Sequence, residues 1–292
     1  MSLPKELLVK SLGILPQNLI SLSVGAVVRA KLPTTLAKPL NKIFVKTFGI
    51  NMAEAEFPLA HYETIEDVFT RKLQSGARKV ANAAFVAPSD GVLVKSLESS
   101  DGTAVQAKGI SYSLSELVLG SKGKQNPEAL GYLPTWFSTV YLAPHNYHRV
   151  HAPMSGVVKA LRYIPGRLWP VNSPAVQAIP GLFCRNERLV FDLELPEGGK
   201  AAVVMVGAMN VGRMTTPLDS EFVSNAVDRQ LGNHQVTEKQ LNYQLNAGDE
   251  IGTFMLGSTV IIVLDEKARL ALSPERVDTP RSIKMGQTLI QS

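Results

Sequence analysis

A short apolar run near the C-terminus constrains the fold of this chain most strongly. Residues 260–264 read Val-Ile-Ile-Val-Leu, which predicts a fully buried β-strand. Gly257, Ser258 and Thr259 precede this run. Gly257 lets another group approach the backbone closely, and the hydroxyl of Ser258 follows its carbonyl directly, which suits a serine that attacks its own chain. An isolated Gly-Ser-Thr is far more often just a strand that opens with small residues, so the rest of the chain must decide.

The remaining sequence predicts an α+β protein that is mainly β. The segment 64–73 reads as a short helix, because Thr64 is a capping residue with Asp67 three positions later. The polar residues 219–249 predict a loop-like segment. Runs of β-forming residues, separated by Gly and Pro, predict strands at 84–87, 91–97, 136–143, 156–164, 188–195, 200–207 and 259–264.

A faint internal repeat predicts how these strands are organised. Residues 87–92 and 152–157 share the pattern Ala-Pro-x-x-Gly-Val, and two later glycine turns, at 248–252 and 285–289, also resemble each other. The pattern is similar to the half-barrels of biotinyl- and lipoyl-carrier domains. We therefore expect a duplicated core, a sandwich-like or hybrid β-barrel, preceded by N-terminal helices.

The N-terminus carries the positive charge of the chain. The formal net charge is +5, and residues 1–50 contain seven lysines and arginines against one acidic residue, Glu6. These basic residues alternate with apolar ones, which argues against a nucleic-acid partner. The apolar run 19–28 is too short to cross a bilayer. We expect a first domain, residues 1–60, of amphipathic helices that associate with membranes, and a catalytic domain over residues 61–292.

The pattern over residues 35–48 predicts the most clearly amphipathic helix. Its two faces are apolar (Leu36, Leu40, Ile43, Phe44 and Thr47) and basic (Lys38, Lys42 and Lys46). Such a helix suits an anionic membrane surface, but a helix packed on its own domain with solvated lysines fits equally well. A mitochondrial transit peptide is a third interpretation, weakened because the N-terminal region has few serines and a single arginine, Arg29.

The densest group of titratable side chains lies at His145, His148 and His151. No cysteine or carboxylate accompanies them, so we expect no metal site and prefer histidines that act as bases or as ordinary polar residues. Asp90 lies in an Asp-Gly turn, for which ordinary turn chemistry is a sufficient explanation. However, the repeat pairs this turn with the one after His151. If the two halves are related by pseudo-symmetry, Asp90, His151 and Ser258 can form a triad.

Several separated motifs along the chain resemble phosphatidylserine decarboxylases of the bacterial and mitochondrial membrane type. The resemblance covers roughly residues 60–292. The motifs are the Asp90 turn, Phe69-Thr70-Arg71-Lys72-Leu73, Tyr147-His148-Arg149-Val150-His151, Pro165-Gly166-Arg167-Leu168 with Val171-Asn172, Arg185-Asn186-Glu187-Arg188, residues 206–212 and residues 252–263, which include Leu256-Gly257-Ser258-Thr259.

The resemblance implies a proenzyme that cuts itself between Gly257 and Ser258. The products would be a large (β) chain, residues 1–257, and a small (α) chain, residues 258–292. Ser258 would become a covalent pyruvoyl cofactor that forms a Schiff base with the substrate amine, as pyridoxal phosphate does elsewhere. In this scheme His151 is the base for self-cleavage and Asp90 orients it, whereas His148 is the proton donor in decarboxylation.

The resemblance also implies the partners and the location. The substrate would be phosphatidylserine, the product phosphatidylethanolamine, and residues 4–48 would bind an anionic membrane surface. We therefore expect a peripheral protein on the cytoplasmic face of the bacterial cell membrane, with a homodimer left open. Two alternatives remain: a lipid-directed serine hydrolase that uses Ser258, His151 and Asp90, and a non-enzymatic, carrier-like module at the membrane.

Overall fold

The architecture comes from a computed structural model of the chain. It describes residues 17–209, 213–224, 235–255 and 258–291, and for residues 17–19 and 258 it describes the backbone alone. The helices are α1 (Gln17–Val28), α2 (Thr34–Phe48), α3 (Ile65–Phe69), α4 (Leu114–Leu119), α5 (Ser121–Gln125), α6 (Ser173–Ala178), α7 (Leu182–Arg185) and α8 (Glu266–Leu272). Short 3₁₀ turns lie at Leu59–His61 and Pro127–Leu130.

The described chain contains more strand than helix, which confirms the predicted class of a mainly β, α+β protein. The strands are β1 (Gly91–Glu98), β2 (Thr103–Ala107), β3 (Ile110–Ser113), β4 (Pro134–Leu142), β5 (Arg149–His151), β6 (Gly156–Ile164), β7 (Arg188–Glu194), β8 (Lys200–Val206), β9 (Met214–Thr216), β10 (Asp219–Val223), β11 (Thr237–Leu245), β12 (Glu250–Phe254), β13 (Ser258–Asp265) and β14 (Arg281–Ile283).

One large antiparallel sheet forms the framework, in the order β11-β6-β7-β8-β13-β4-β1-β14. The predicted buried strand is β13, which lies between β8 and β4, and residues 260–264 are fully buried. Alternate residues of β13 pack into two different cores. Val260, Ile262 and Leu264 face one side, whereas Ile261 and Val263 face the other, as the two-residue period of a strand requires.

The two faces of the large sheet are covered differently. A second sheet, in the order β10-β9-β12-β5, contributes Val150, Ile251 and Phe254 to the core that contains Val260. On the opposite face the helices α4, α6 and α7 pack together with the β2–β3 hairpin. The arrangement is sandwich-like, and the described strands form open sheets without a closed barrel.

The internal repeat corresponds to two matching pairs of turns. The Ala87 N–H donates to the Gln287 carbonyl and the Ala87 carbonyl accepts from Gly286; Ala152 exchanges the same pair of bonds with residues 249 and 248. Both turn glycines need a positive φ, 93° at Gly248 and 79° at Gly286, which side chains rarely adopt. The duplication that the sequence predicts is therefore visible in the backbone hydrogen bonds.

The two Ala-Pro turns also contact each other. The Val86 N–H donates to the Pro153 carbonyl at 2.8 Å, and the His151 N–H donates to the Pro88 carbonyl at 2.8 Å. The backbones of the Asp90 turn and of His151 are thus adjacent, as pseudo-symmetry requires.

Two local expectations were wrong. Residues 84–87 form only an isolated bridge from Val86 to Thr288, because the chain exchanges its bonds with the turns rather than with a strand. Within the polar segment 219–249, two strands appear, β10 and β11. β11 is a largely exposed edge strand, so polar side chains suit it. Residues 225–234 of that segment lie outside the described residues.

The N-terminal helices follow the prediction in position and partly in orientation. α2 covers the predicted segment and packs on the body through Ala37 and Asn41, with the Asn41 amide donating to the Tyr62 carbonyl at 3.0 Å. Leu36 and Ile43 of the predicted apolar face are 58% and 62% exposed. α1 lies in the predicted helical region 1–60, whose residues 1–16 lie outside the described residues. None of the described helices is long and apolar enough to cross a membrane.

Candidate active site

The histidine segment lies beside the strand that leads to the predicted cleavage point. β5 pairs with β12, and the Phe254 N–H donates to the His148 carbonyl at 3.1 Å. Ser258 begins β13, and its backbone is in register with Leu142 of β4. Leu256 and Gly257 lie outside the described residues, as does the side chain of Ser258. The histidine segment is therefore held by main-chain bonds next to β12 and Phe254, which lies four residues before Ser258.

His151 is buried and held in a single tautomer. Its Nδ1 lies 2.8 Å from the Gly248 carbonyl, which can only accept, so Nδ1 carries the proton. Its Nε2 lies 3.1 Å from the Tyr147 hydroxyl, which donates to it. Burial lowers the pKa of His151, and the carbonyl of Gly248 partly opposes this shift. The ring is thus a neutral imidazole with a basic Nε2.

Asp90 contacts other partners than the ring of His151. Its two carboxylate oxygens lie 2.8 Å and 2.5 Å from the Arg78 guanidinium, and one of them accepts from the Met285 N–H at 2.9 Å. Arg78 also binds Glu54 at 2.9 Å, and these carboxylates raise the pKa of Arg78. The structure therefore brings the Asp90 turn to the His151 backbone, whereas the carbonyl of Gly248 holds the ring nitrogen that Asp90 was expected to hold.

His148 is completely buried and has one free nitrogen. Its Nδ1 donates to the Asn146 carbonyl at 2.9 Å, and its ring packs on Phe69 with centroids 3.8 Å apart. The Nε2 atom has no partner among the described residues. Burial lowers the pKa of His148 to about 3, and the positive charge of Arg71 adds to the shift. An unpartnered buried nitrogen is costly, which suits a group that meets a ligand.

Residues 69–71 organise this region; the sequence singled them out as part of a motif but gave them no individual role. Phe69 packs on His148, the Thr70 carbonyl accepts from Arg149 at 3.0 Å, and Arg71 donates to the His145 carbonyl at 3.4 Å. The predicted capped start of the helix is confirmed, since Thr64 and Asp67 form both bonds of a capping box at the start of α3. The helix ends at Phe69, however, and does not extend to Leu73 as predicted. The helix therefore fixes Phe69, its last residue, and Thr70 and Arg71, which follow it.

A cavity of about 750 Å³ opens beside these residues. Its wall includes the 3₁₀ turn after Pro58, α3 and the side chains of Arg71, Arg149 and Arg213. Arg213 lines the cavity and also contacts the segment before the cleavage point, because the Met255 N–H donates to its carbonyl at 3.0 Å.

Three groups at the site were missed by sequence reasoning. Tyr147 and the Gly248 carbonyl hold His151, and Arg78 holds Asp90. Tyr147 lies inside the histidine motif, but its hydrogen bond to His151 could not be inferred without the backbone geometry of this segment. The sequence indicated a glycine turn at Gly248, but nothing in it indicated that the carbonyl of Gly248 accepts from His151.

Comparison with known proteins defines the class to which this chain belongs. A family model described as phosphatidylserine decarboxylase matches residues 65–291. A protein named phosphatidylserine decarboxylase proenzyme from Acinetobacter baylyi is 37% identical, over 99% of this chain and 97% of its own. Relatives with the same name from Pseudoalteromonas translucida and Myxococcus xanthus are 37% and 36% identical, over 87% and 88% of this chain and 88% and 89% of their own. The chain is thus an enzyme of the decarboxylase class.

The particular family follows from the same matches. The chain belongs to the phosphatidylserine decarboxylase family, as the sequence motifs predicted. The proenzyme name of the relatives fits maturation by self-cleavage. Membership contradicts the alternative of a non-enzymatic, carrier-like module.

Proposed function

We propose that this chain decarboxylates phosphatidylserine to phosphatidylethanolamine, after it has cut itself between Gly257 and Ser258 and converted Ser258 to a pyruvoyl group. The observation that carries the proposal is the pair of buried neutral imidazoles, His148 and His151, beside β12, the strand that precedes Ser258 in sequence. Each donates through Nδ1 to a backbone carbonyl, so each offers Nε2 for chemistry.

For self-cleavage, we propose that His151 is the base. Its Nε2 takes the proton of the Ser258 hydroxyl as that oxygen attacks the Gly257 carbonyl, which moves the acyl group from nitrogen to oxygen. Loss of the Ser258 α-proton then expels the Gly257 carboxylate, and water releases ammonia from the remaining enamine. In the structure, the Tyr147 hydroxyl donates to the Nε2 of His151, the atom that would receive the serine proton.

Asp90 acts in this proposal as a positioning residue. Its carboxylate accepts from the Met285 N–H and so joins its own turn to the glycine turn at residue 286. The Pro88 carbonyl of the Asp90 turn accepts from the His151 N–H. The ion pair with Arg78 keeps the carboxylate in place. Asp90 therefore fixes the backbone of the base, while Gly248 fixes its tautomer.

The buried surroundings of His148 fit a pyruvoyl group at position 258. The unpartnered Nε2 is a place where a polar ligand atom is needed. The pyruvoyl group supplies the ketone that captures the substrate amine and accepts electrons as carbon dioxide leaves. His148 then delivers a proton to the substrate Cα. Its low pKa makes a protonated His148 a strong acid, and an anionic substrate nearby favours its protonation.

The exposed apolar side chains of the N-terminal region support access to a membrane-bound lipid. Val27, Leu36 and Ile43 are more than half exposed, and basic residues flank them. A surface of this kind suits the interface of an anionic membrane. We propose that α1 and α2 hold the enzyme on that surface as a peripheral protein on the cytoplasmic face.

Replacement of the nucleophile tests the proposal. We expect Ser258→Ala to give one intact chain on a denaturing gel and no decarboxylation, because the hydroxyl that attacks Gly257 is gone. The matched control is Ser282→Ala, an exposed serine of β14 on the same small chain, which should cleave and act normally. A small fragment from Ser258→Ala would contradict the proposal. A wild-type protein that stays one chain and hydrolyses lipid esters would instead favour the serine hydrolase.

A further inference from the structure

The cavity beside the histidines contains two buried polar groups that have no partner in it. Arg71 is 4% exposed and its Nε has no hydrogen bond, while its two other nitrogens make only long bonds of 3.4 Å to the carbonyls of Val68 and His145. Tyr62 is 9% exposed, and its hydroxyl also has no partner. Both side chains line the same cavity. Among the described residues, neither the Arg71 Nε nor the Tyr62 hydroxyl has a hydrogen-bond partner.

The charges around the cavity single out Arg71. Four of its six basic residues are paired: Arg29 and Arg213 with Glu66, Lys31 with Glu63, and Arg149 with Glu250. Lys72 is exposed to solvent. Arg71 has no ion pair in the described part of the chain. The carboxylates that act on it from a distance, Asp90 and Glu54, are bound to Arg78. A buried guanidinium without an anion is costly unless a ligand supplies one.

We propose that Arg71 and Tyr62 form a subsite for the phosphodiester of the lipid substrate, an inference that rests on the proposed decarboxylase function. The fork of a guanidinium matches two phosphate oxygens, and the tyrosine hydroxyl adds a third donor. The location also fits. Arg71 bonds to the carbonyl of His145, three residues before His148, and Arg213 of the same cavity bonds to Met255, three residues before Ser258.

The substrate carries two anionic groups, and the chemistry selects the phosphodiester. A guanidinium on the carboxylate would stabilise the charge that disperses when carbon dioxide leaves, so it would favour the ground state over the transition state. The phosphodiester keeps its charge throughout the reaction. Binding it holds the substrate without opposing the chemistry.

Two conservative variants test this subsite. Tyr62→Phe removes only the hydroxyl, and Arg71→Lys keeps the charge but loses the fork. We expect each to raise KM for dispersed phosphatidylserine about tenfold, the loss expected when one bond to a charged group is removed. Self-cleavage on a denaturing gel, kcat and Tm should stay near wild type. If Arg71→Lys does not fold, Tyr62→Phe decides.

The controls are Tyr132→Phe and Arg269→Lys, which should leave KM unchanged. Tyr132 also has a buried hydroxyl without a partner, but it precedes β4 at the end opposite Leu142 and Ser258. Arg269 lies on α8 and binds Glu266 on the surface.

Three probes separate the possible anions. An O-acyl serine, which has the amine and carboxylate but no phosphate, should inhibit wild type and both variants alike. Equal losses of affinity for it and for phosphatidylserine would assign Arg71 to the carboxylate and overturn the proposal. Soluble glycerophosphoserine should show the same rise in KM as the lipid, because the subsite binds the phosphodiester rather than the membrane.

Inorganic phosphate should compete with the substrate in wild type and less in Arg71→Lys. Phosphate inhibition combined with an unchanged KM for phosphatidylserine would mean a site for free phosphate only, which also overturns the proposal. A wild-type protein without decarboxylation would contradict the proposed function itself, and is thus a distinct failure.

Discussion

At the scale of single residues, the carbonyl of Gly248 replaces the carboxylate that was expected to orient His151. A carbonyl fixes the tautomer as well as a carboxylate does, but it adds no full negative charge to stabilise an imidazolium. We expect His151→Ala to abolish self-cleavage, because no other base holds that position, and Tyr147→Phe to change its rate. His145→Ala is the control, since that side chain is exposed and has no assigned role. The measurement is the fraction of cut chain over time; normal cleavage by His151→Ala would refute the assignment.

The buried histidine His148 gives a prediction about pH and stability. Its folded pKa of about 3 lies below the ordinary value of 6.5, so the unfolded state binds the extra proton between these values. The contribution of His148 to the free energy of unfolding is fully present above pH 6.5, the ordinary pKa of histidine. It decreases as the pH falls towards about 3, by at most about 1.4 kcal/mol per pH unit.

Urea unfolding at several pH values tests this with His148→Gln. The variant should lose stability less steeply on acidification than the wild type. It should also cut itself normally but decarboxylate poorly. Parallel pH profiles for the two proteins would mean that the imidazole is not held neutral, and failure to cut would show that the two histidines share one role.

Variants of the Arg78–Asp90 ion pair test whether Asp90 positions His151 or acts directly on its ring. Both side chains are at least nine-tenths buried, so Arg78→Gln leaves an uncompensated carboxylate and should cost about 3–5 kcal/mol. We expect slower self-cleavage, because the turn that holds the His151 N–H loosens. Asp90→Asn should slow cleavage too, while the pH dependence of the cleavage rate stays that of His151. A shifted pH profile in Asp90→Asn would instead indicate that Asp90 acts on the ring directly.

At the scale of elements, α2 shows what a periodic pattern can and cannot determine. The apolar face predicted from spacing includes Leu36 and Ile43, but the helix packs on the body through Ala37 and Asn41. The reason is a buried hydrogen bond from Asn41 to the Tyr62 carbonyl, which spacing alone does not reveal. The helix therefore both packs on its domain and leaves an apolar surface exposed.

That exposed surface gives a prediction for membrane binding. The double change Leu36→Ser and Ile43→Ser should weaken binding to phosphatidylserine-containing vesicles several-fold and leave Tm unchanged, because both side chains already face solvent. Leu270→Ser is the matched control, since Leu270 is 63% exposed on α8. Co-sedimentation with vesicles measures the effect. Equal binding by the double variant and the control would contradict an interfacial role for α2.

The strands were the more predictable elements. β13 follows from its uninterrupted β-branched run, and β6, β7 and β8 follow from their flanking turns. β11 was missed because an edge strand exposed to water has no apolar period to read. The segment 84–87 has strand-like residues but pairs with turns, which depends on the distant glycine turn at 286.

At the scale of the whole molecule, the duplicated turns explain how the site is assembled. Asp90 accepts from the Met285 N–H, and at the matching place in the other half Ser155 accepts from the Ala247 N–H. The two turns therefore use equivalent positions to hold their partner glycine turns. A hexapeptide repeat correctly indicated that Asp90 and His151 belong to neighbouring turns. It did not reveal their side-chain partners, which are Arg78 for Asp90 and the distant Gly248 for His151.

If Ser258 becomes a pyruvoyl group, the mass of the small chain changes. We predict two chains, residues 1–257 and 258–292, with the small chain lighter than its sequence by the difference between an N-terminal serine and a pyruvoyl group, which is one ammonia. A hydrazine reagent should add to the small chain alone, because only a ketone reacts there. An uncut chain, or a small chain that keeps the mass of an N-terminal serine and does not react with the hydrazine, would contradict the formation of a pyruvoyl group at Ser258.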